Sequence, residues 1–351
     1  MVKFKYLIIL FYIIIFSCSD GINNPLLTSQ NSLCYVKQME NYKWEVFTNN
    51  MSGSNPINIS NHENNDENPV WSPNGKYILY KHSNNHGNRI ANVYNLEKNT
   101  IISVTSDSGE VGIDGCKWLP NGKIFILYRT SYYDPYSVFI VNPDGSKKIK
   151  MRTLSFGART YFYQDSYNFL YEIDSKVYKT NLDNSYEEYL FDLESERLTI
   201  RDFNPLTGIL LLNTYTDARY GNSIVEYNIE TKQSKIIVTA EKPFVVSQQR
   251  YSKDYTKVAF LETNTNGYDE HYLSIFENGA KKRIVKLVDN EWFDSNPMEF
   301  SHDGNYIAFA KNINVDADWI SWKSELYIVD INTEKLYFID EGHSTSWNLK
   351  N

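Results

Sequence analysis

One local pattern returns along the chain at a nearly constant interval, and it restricts the possible folds more than any other feature. Its clearest copy is Trp71-Ser72-Pro73-Asn74-Gly75-Lys76, followed by the apolar run Tyr77-Ile78-Leu79-Tyr80. It returns as Trp118-Leu119-Pro120-Asn121-Gly122-Lys123 and as Phe300-Ser301-His302-Asp303-Gly304-Asn305, each ahead of another apolar run. Weaker copies begin at Tyr163, Phe203 and Tyr251, and Ser346-Trp347-Asn348 is a remnant. Successive anchors stand 47, 45, 40, 48, 49 and 47 residues apart. A period in the forties, with one aromatic and one turn per copy, marks a propeller or a solenoid.

Each copy predicts four short strands. In the turn, Pro presets φ, Asn or Asp tolerates the tight conformation, and Gly takes the left-handed position. That turn joins the aromatic strand to an apolar second strand as a hairpin. A second hairpin follows in every unit, led by Trp44–Phe47, Ile90–Tyr94, Ser137–Val141, Lys176–Tyr178, Ser223–Tyr227, Tyr272–Phe276 and Glu325–Val329. Helical periodicity is nearly absent. The expected fold is all-β, a single β-propeller of seven four-stranded blades, with six as the alternative if the Tyr163 copy merges with a neighbour. The C-terminal strand at Trp347 is expected to pair with the N-terminal blade near Cys34, which leaves only short, protected sheet edges. The anchors Trp71, Trp118 and Trp347 are expected to pack between blades.

The motif Trp-Ser-Pro-Asn-Gly-Lys before aliphatics, with a later strand ending in Asn142-Pro143-Asp144-Gly145, resembles the TolB-type WD-like repeat of bacterial envelope propellers. The resemblance spans almost the whole mature chain. It implies a propeller fold and a non-enzymatic binding role, and it does not carry over TolB's own function.

The N-terminus points to export. Lys3 and Lys5 precede an apolar stretch from Tyr6 to Phe16, shorter than the roughly 20 residues that span a bilayer. Ile15-Phe16-Ser17-Cys18 resembles a bacterial lipobox, which implies acylation of Cys18 after removal of residues 1–17. Several acyl chains make a stable anchor. Residues 18–33 read as a tether and 34–351 as the propeller. The expected setting is the bacterial cell envelope, periplasmic or surface-facing, with the chain held to a membrane by this anchor. An ordinary signal peptide with Cys18 incidental is the other reading.

Loss of Lys3 and Lys5 takes the formal charge from −8 to −10, which argues against nucleic acid as a partner. Cys34 and Cys116 fall in units that are not adjacent and are expected to be two small hydrophobes. No Gly-x-Ser-x-Gly elbow occurs, so no catalytic nucleophile is assigned. The six histidines are scattered, with His82 and His86 in a polar loop and His302 at a turn, so no metal or cofactor is expected. Asp316 and Asp318 alone are a weak cation site.

The loops joining second to third strands are the candidate binding surface. They carry Tyr132, Tyr133 and Asp134, then Tyr220, then Tyr268, Asp269 and His271, and last Asp318, Trp319 and Trp322. Aromatics beside carboxylates on a rigid scaffold suit a sugar or a peptide. The other reading of these rings is cover for blade edges. The expected protein is a monomeric, lipid-anchored binder of an envelope protein or glycan. The alternative is a polysaccharide lyase-like enzyme with a metal or acid/base site in the channel.

Overall fold

The computed structural model describes residues 33–348 apart from 41, 50–55, 85–86, 106–111, 132–133, 196, 215–220, 267–269, 288–290, 295–297 and 315–321. Among these residues every regular element is a strand. β1 (Leu33–Gln38), β2 (Trp44–Asn49) and β3 (Pro56–Asn58) run antiparallel in that order. Next come β4 (Asp66–Trp71), β5 (Tyr77–Ser83), β6 (Arg89–Asn95) and β7 (Thr100–Ser103). The third meander is β8 (Gly112–Trp118), β9 (Ile124–Arg129), β10 (Tyr136–Val141) and β11 (Ile149–Leu154). A parallel bridge between Arg89 and Gly112 ties it to the second.

Three further four-stranded sheets follow. They are β12 (Arg159–Phe162) to β15 (Glu187–Asp192), β16 (Leu198–Asn204) to β19 (Gln233–Thr239), and β20 (Phe244–Tyr251) to β23 (Ala280–Leu287). Between their ends lie β13 (Asn168–Ile173), β14 (Lys176–Asn181), β17 (Ile209–Thr214), β18 (Ser223–Asn228), β21 (Lys257–Asn264) and β22 (His271–Glu277). In the last sheet β24 (Glu291–Phe293) and β25 (Glu299–Phe300) both pair with β26 (Tyr306–Asn314), which precedes β27 (Trp322–Asp330) and β28 (Leu336–Glu341). β29 (His343–Trp347) leaves that sheet and pairs antiparallel with β1, Trp347 opposite Leu33 and Ser346 opposite Cys34. The C-terminal strand therefore completes the first sheet, as expected, although β1 starts at Leu33, one residue early.

The second strand of each unit shows why its sequence is a continuous apolar run. Ile78 and Tyr80 face the first sheet beside Cys34 and Val46, while Leu79 between them faces the third meander beside Ile113, Ile124 and Ile126. The same alternation holds for Phe125 against Ile124, Leu211 against Leu210, and Ala259 against Phe260. A strand buried on both faces has no polar side to show. Apolar clusters lie between each sheet and the next, and Ala308 and Ile328 of the last meet Leu33 and Trp347 of the first. The series of interfaces returns to its start.

The repeated turns are built from side chains as much as from glycine. Ser72 Oγ donates to Asn74 Oδ1 at 2.8 Å and accepts the Tyr77 N–H at 3.0 Å, with Gly75 at φ 65°. Ser301, Asp303 and Gly304 repeat this geometry. The weak copy at Tyr251 repeats it too, with Ser252 and Asp254, but Tyr255 holds the left-handed position at φ 60°. The Tyr163 copy places Ser166 there at φ 60° and forms a four-stranded sheet of its own. Among the anchors, Trp347, Phe300 and Trp71 are buried, while Trp118 is only half-buried and donates Nε1–H to the Val70 carbonyl at 2.9 Å.

Candidate binding site at the inner strands

A cavity of about 310 Å³ is lined by residues from five first strands, including Val70, Asp202, Arg250, Glu299 and Ser346. The first strands therefore converge on a common centre. Each of these five residues immediately precedes an anchor aromatic. At that position the side chain reaches the neighbouring unit. Glu299 Oε2 accepts the Trp347 N–H at 3.0 Å, Ser346 Oγ accepts the Trp71 N–H at 3.3 Å, and Asp202 Oδ2 accepts the Tyr251 N–H at 2.9 Å. Trp347 Nε1 also donates to the Glu299 carbonyl at 2.9 Å, and Arg250 donates to the Arg201 carbonyl. These bonds satisfy strand-edge groups that no further strand could reach at the centre of a ring.

The inner strands are irregular where they bend. Pairing shifts register between Glu67 and Val70, Ile113 and Gly115, Ile200 and Asp202, and Ser247 and Arg250. Such bulges re-aim side chains. Gly112 is required where β8 bridges to β6, because at φ +88° a Cβ there would lie 2.4 Å from the Arg89 carbonyl oxygen.

Charge is concentrated here. Burial, then Arg250 and Arg159, push the Arg201 guanidinium below its ordinary range. Arg159 lies 3.7 Å from Glu172, whose carboxyl burial raises above its usual value. Burial likewise raises Glu299, against the pull of Lys253 and Arg250. A carboxyl whose folded pKa is raised favours folding below the unfolded value of 4.5, and that contribution disappears as pH rises through the folded value. Glu299→Gln keeps an oxygen for the Trp347 N–H and removes the half-buried charge. We expect its melting temperature to exceed wild type by about 2 °C near pH 8 and to match it below about pH 4.5. A melting temperature below wild type at pH 8 but not below about pH 4.5 would show instead that the ionised carboxylate stabilises the ring.

A second cavity, about 380 Å³, lies between β8 and β12, lined by Asp114, Cys116, Lys117, Tyr136, Arg159 and Tyr161 among others. Asp114 is held by Arg129 at 3.0 Å and by the Tyr136 hydroxyl. Lys117 Nζ donates to the Thr160 carbonyl and lies 5.9 and 5.6 Å from the ring centroids of Phe125 and Phe162. Desolvation lowers its pKa to about 8.

His82 corrects the sequence reading. It lies in β5 and is 4% exposed, with Nδ1 2.8 Å from Asp66 Oδ1 and its ring 4.0 Å from that of His62. Its partner in that reading, His86, lies outside the described residues. His302 is an exposed turn residue. Among the described residues no group of three or more His, Cys, Asp or Glu could hold a metal ion. Cys34 and Cys116 are free, Cys34 buried and Cys116 half-buried.

Of the loop residues, Tyr132, Tyr133, Tyr220, Tyr268, Asp269, Asp316, Asp318 and Trp319 lie outside the described residues, as does Cys18. Asp134 Oδ2 accepts from Thr130 Oγ1 at 2.7 Å beside β10. His271 opens β22, with Nδ1 3.3 Å from Thr263 Oγ1, and Trp322 opens β27 opposite Asn314. These three belong to three different sheets, each where a second strand passes to a third. The inner-strand charges were missed, although the sequence carries their signal. Lys117, Asp202, Arg250 and Glu299 each stand directly before an anchor.

No protein-family model matches the chain. No curated protein matches it either. Solved structures do. TolB from Acinetobacter baumannii aligns with a TM-score of 0.51 at 14% identity over 91% of this chain, which spans 66% of TolB's length. Oligogalacturonate lyase from Vibrio parahaemolyticus aligns with a TM-score of 0.60 at 11% identity, covering 89% of this chain and 85% of the lyase. The β-propeller domain of the Trilobed protease from Pyrococcus furiosus reaches 0.65 at 15% identity, covering 89% and 95% of the two chains. That domain is described as having an open velcro topology, whereas here β29 pairs with β1. At these identities the likeness establishes architecture, and by fold this chain is a TolB-like β-propeller.

Proposed function

We propose that the protein is a non-enzymatic, lipid-anchored propeller of the bacterial cell envelope, with seven blades, that binds a protein or glycan through the loops between second and third strands. The observation that carries this reading is the use made of the central carboxylates. Asp202 and Glu299 accept backbone N–H groups of neighbouring anchors, and Asp114 is held by Arg129 and Tyr136. Groups bound in this way hold strands together, and a rigid scaffold presents its loops for recognition. Anchoring through Cys18 fits the leader, in which Lys3 and Lys5 precede an apolar stretch that runs into Ser17-Cys18.

Replacing Tyr133, Tyr268 and Trp319 together by Ala is expected to abolish capture of the partner in cross-linked envelopes without moving thermal unfolding. Capture that survives would place the partner on another face. Cys18→Ser is expected to lose incorporation of labelled palmitate, and a retained label would remove the anchor.

One observation favours the second reading, a lyase-like enzyme. Lys117 has its pKa lowered to about 8 inside a cavity that also holds Tyr136 and Arg159, which suits a general base near neutral pH. An oligogalacturonate lyase shares the fold. Turnover of acidic oligosaccharides that is lost in Lys117→Met would support this reading over the first.

A further inference from the structure

The geometry points to a carboxylate-binding site in the cavity between β8 and β12, where Lys117 and Arg159 face a small acidic ligand with an apolar body. Lys117 lies on β8 and Arg159 on β12 rather than on those loops, so the site stands whether or not the loops capture a partner.

The first ground is an ammonium group without a countercharge. Among the described residues no carboxylate lies within ion-pair distance of Lys117, whose Nζ has the Thr160 carbonyl and two aromatic faces. A desolvated cation with no acid beside it attracts an anion. The second ground lies on the facing strand. Thr160 is 6% exposed, lines the same cavity, and its Oγ1 has no hydrogen-bond partner. A buried hydroxyl of that kind is a donor in search of an acceptor. The third is Arg159, whose side chain is 64% exposed and holds Glu172 only at 3.7 Å, leaving donors to offer.

The surrounding charges do not cancel this field. Asp114 is the acid lining the cavity, and it is neutralised by Arg129 at 3.0 Å and bonded by Tyr136. Lys81 donates to the Asp114 backbone carbonyl at 2.9 Å and adds a further positive charge nearby. The Cys116 thiol is raised by burial to about 11 and stays neutral. Tyr161 is raised by burial and by Glu172, so it too is neutral and can donate. Phe125, Leu127 and Ala158 supply apolar wall, and Gly115 leaves room beside Leu127. A volume of about 380 Å³ admits a single-ring acid.

The test is calorimetric titration of the full chain in mild detergent with phenylacetate and its neutral isostere phenylacetamide. At about pH 7 the acid is expected to bind about tenfold tighter than the amide, the worth of one charge-assisted contact. Lys117→Met is expected to remove that preference, and Arg159→Gln to reduce it about threefold, less because this side chain is more solvated. Raising the pH to about 9.5 deprotonates a Lys117 amine of pKa about 8, so the acid is expected to weaken while the amide does not change. Equal binding of acid and amide, or no heat from either, would overturn the proposal. So would an acid preference that both variants keep. If Lys117→Met does not fold, Arg159→Gln decides alone, and an unchanged preference there overturns it.

Discussion

Deleting residues 343–351 is expected to leave a chain that no longer unfolds cooperatively at 37 °C and is cut rapidly by trypsin. The segment contains β29, so its loss exposes the edge of β1 from Leu33 to Val36. It also removes Trp347, which is 0% exposed among Leu33, Ala308 and Ile328. Two hydrogen bonds to Glu299 go with it, along with the one from the Trp71 N–H to Ser346 Oγ. Truncating a buried Trp costs about 3–5 kcal/mol, against a total stability of about 5–15 kcal/mol. Trp347→Ala alone should therefore lower the urea midpoint by the equivalent of about 4 kcal/mol without destroying the fold. Phe338, on outer strand β28 and 55% exposed, is the control, and its Ala variant should stay within about 0.5 kcal/mol of wild type. Equal effects at the two sites would mean that closure through β29 contributes little.

Glu262→Ala is expected to cost about 2–3 kcal/mol near neutral pH. This residue is 0% exposed in β21 and accepts from Ser274 Oγ at 2.6 Å, Lys281 Nζ at 2.8 Å and Arg283 Nε at 2.9 Å. Burial acts to raise its pKa, but the bonds from Arg283, Lys281 and Ser274 outweigh burial and hold the carboxyl below its usual 4.5. A depressed folded value contributes stability above the unfolded pKa, and that contribution is lost as pH falls through the folded value. The cost falls below the roughly 3–5 kcal/mol of fully buried pairs, because Lys281 and Arg283 are 26% and 35% exposed and water can solvate them once Glu262 is gone. Unfolding followed from pH 7 down to about pH 3 should show wild type losing its advantage over the variant below about pH 4.5. A gap that stays constant across that range would mean the ion pairs are not its source.

The strand architecture was readable because its signals are local. A Pro-Asn-Gly turn, an aromatic before it and an apolar run after it lie within ten residues of one another, as in Trp71 to Tyr80. Closure was readable by counting, since the seven second hairpins match seven anchors only if Trp347 is paired with the N-terminal fragment. The weak copies hid good geometry. Side-chain bonds from Ser252 and Asp254 hold the turn with Tyr255 in a conformation that glycine would adopt without strain.

What could not be read depends on distant partners. His82 looked like part of a polar loop because its partner Asp66 is on another strand and nothing in the spacing connects them. Nothing in the sequence around Lys117 connects it to Thr160; only the approach of β8 to β12 across the cavity brings the two together. The loop aromatics were selected by residue type, and most of them lie outside the described residues.

Closure of the ring can be tested with one engineered bond. Cys34 and Ser346 are directly paired across β1 and β29, and antiparallel partners stand about 4.5–5.5 Å apart, within disulfide reach. Ser346→Cys, refolded under oxidising conditions, should yield a bond between Cys34 and position 346, identified by peptide mapping, with Cys116 left free. Failure to form this bond in folded protein, with the new thiol freely labelled, would contradict the closed propeller.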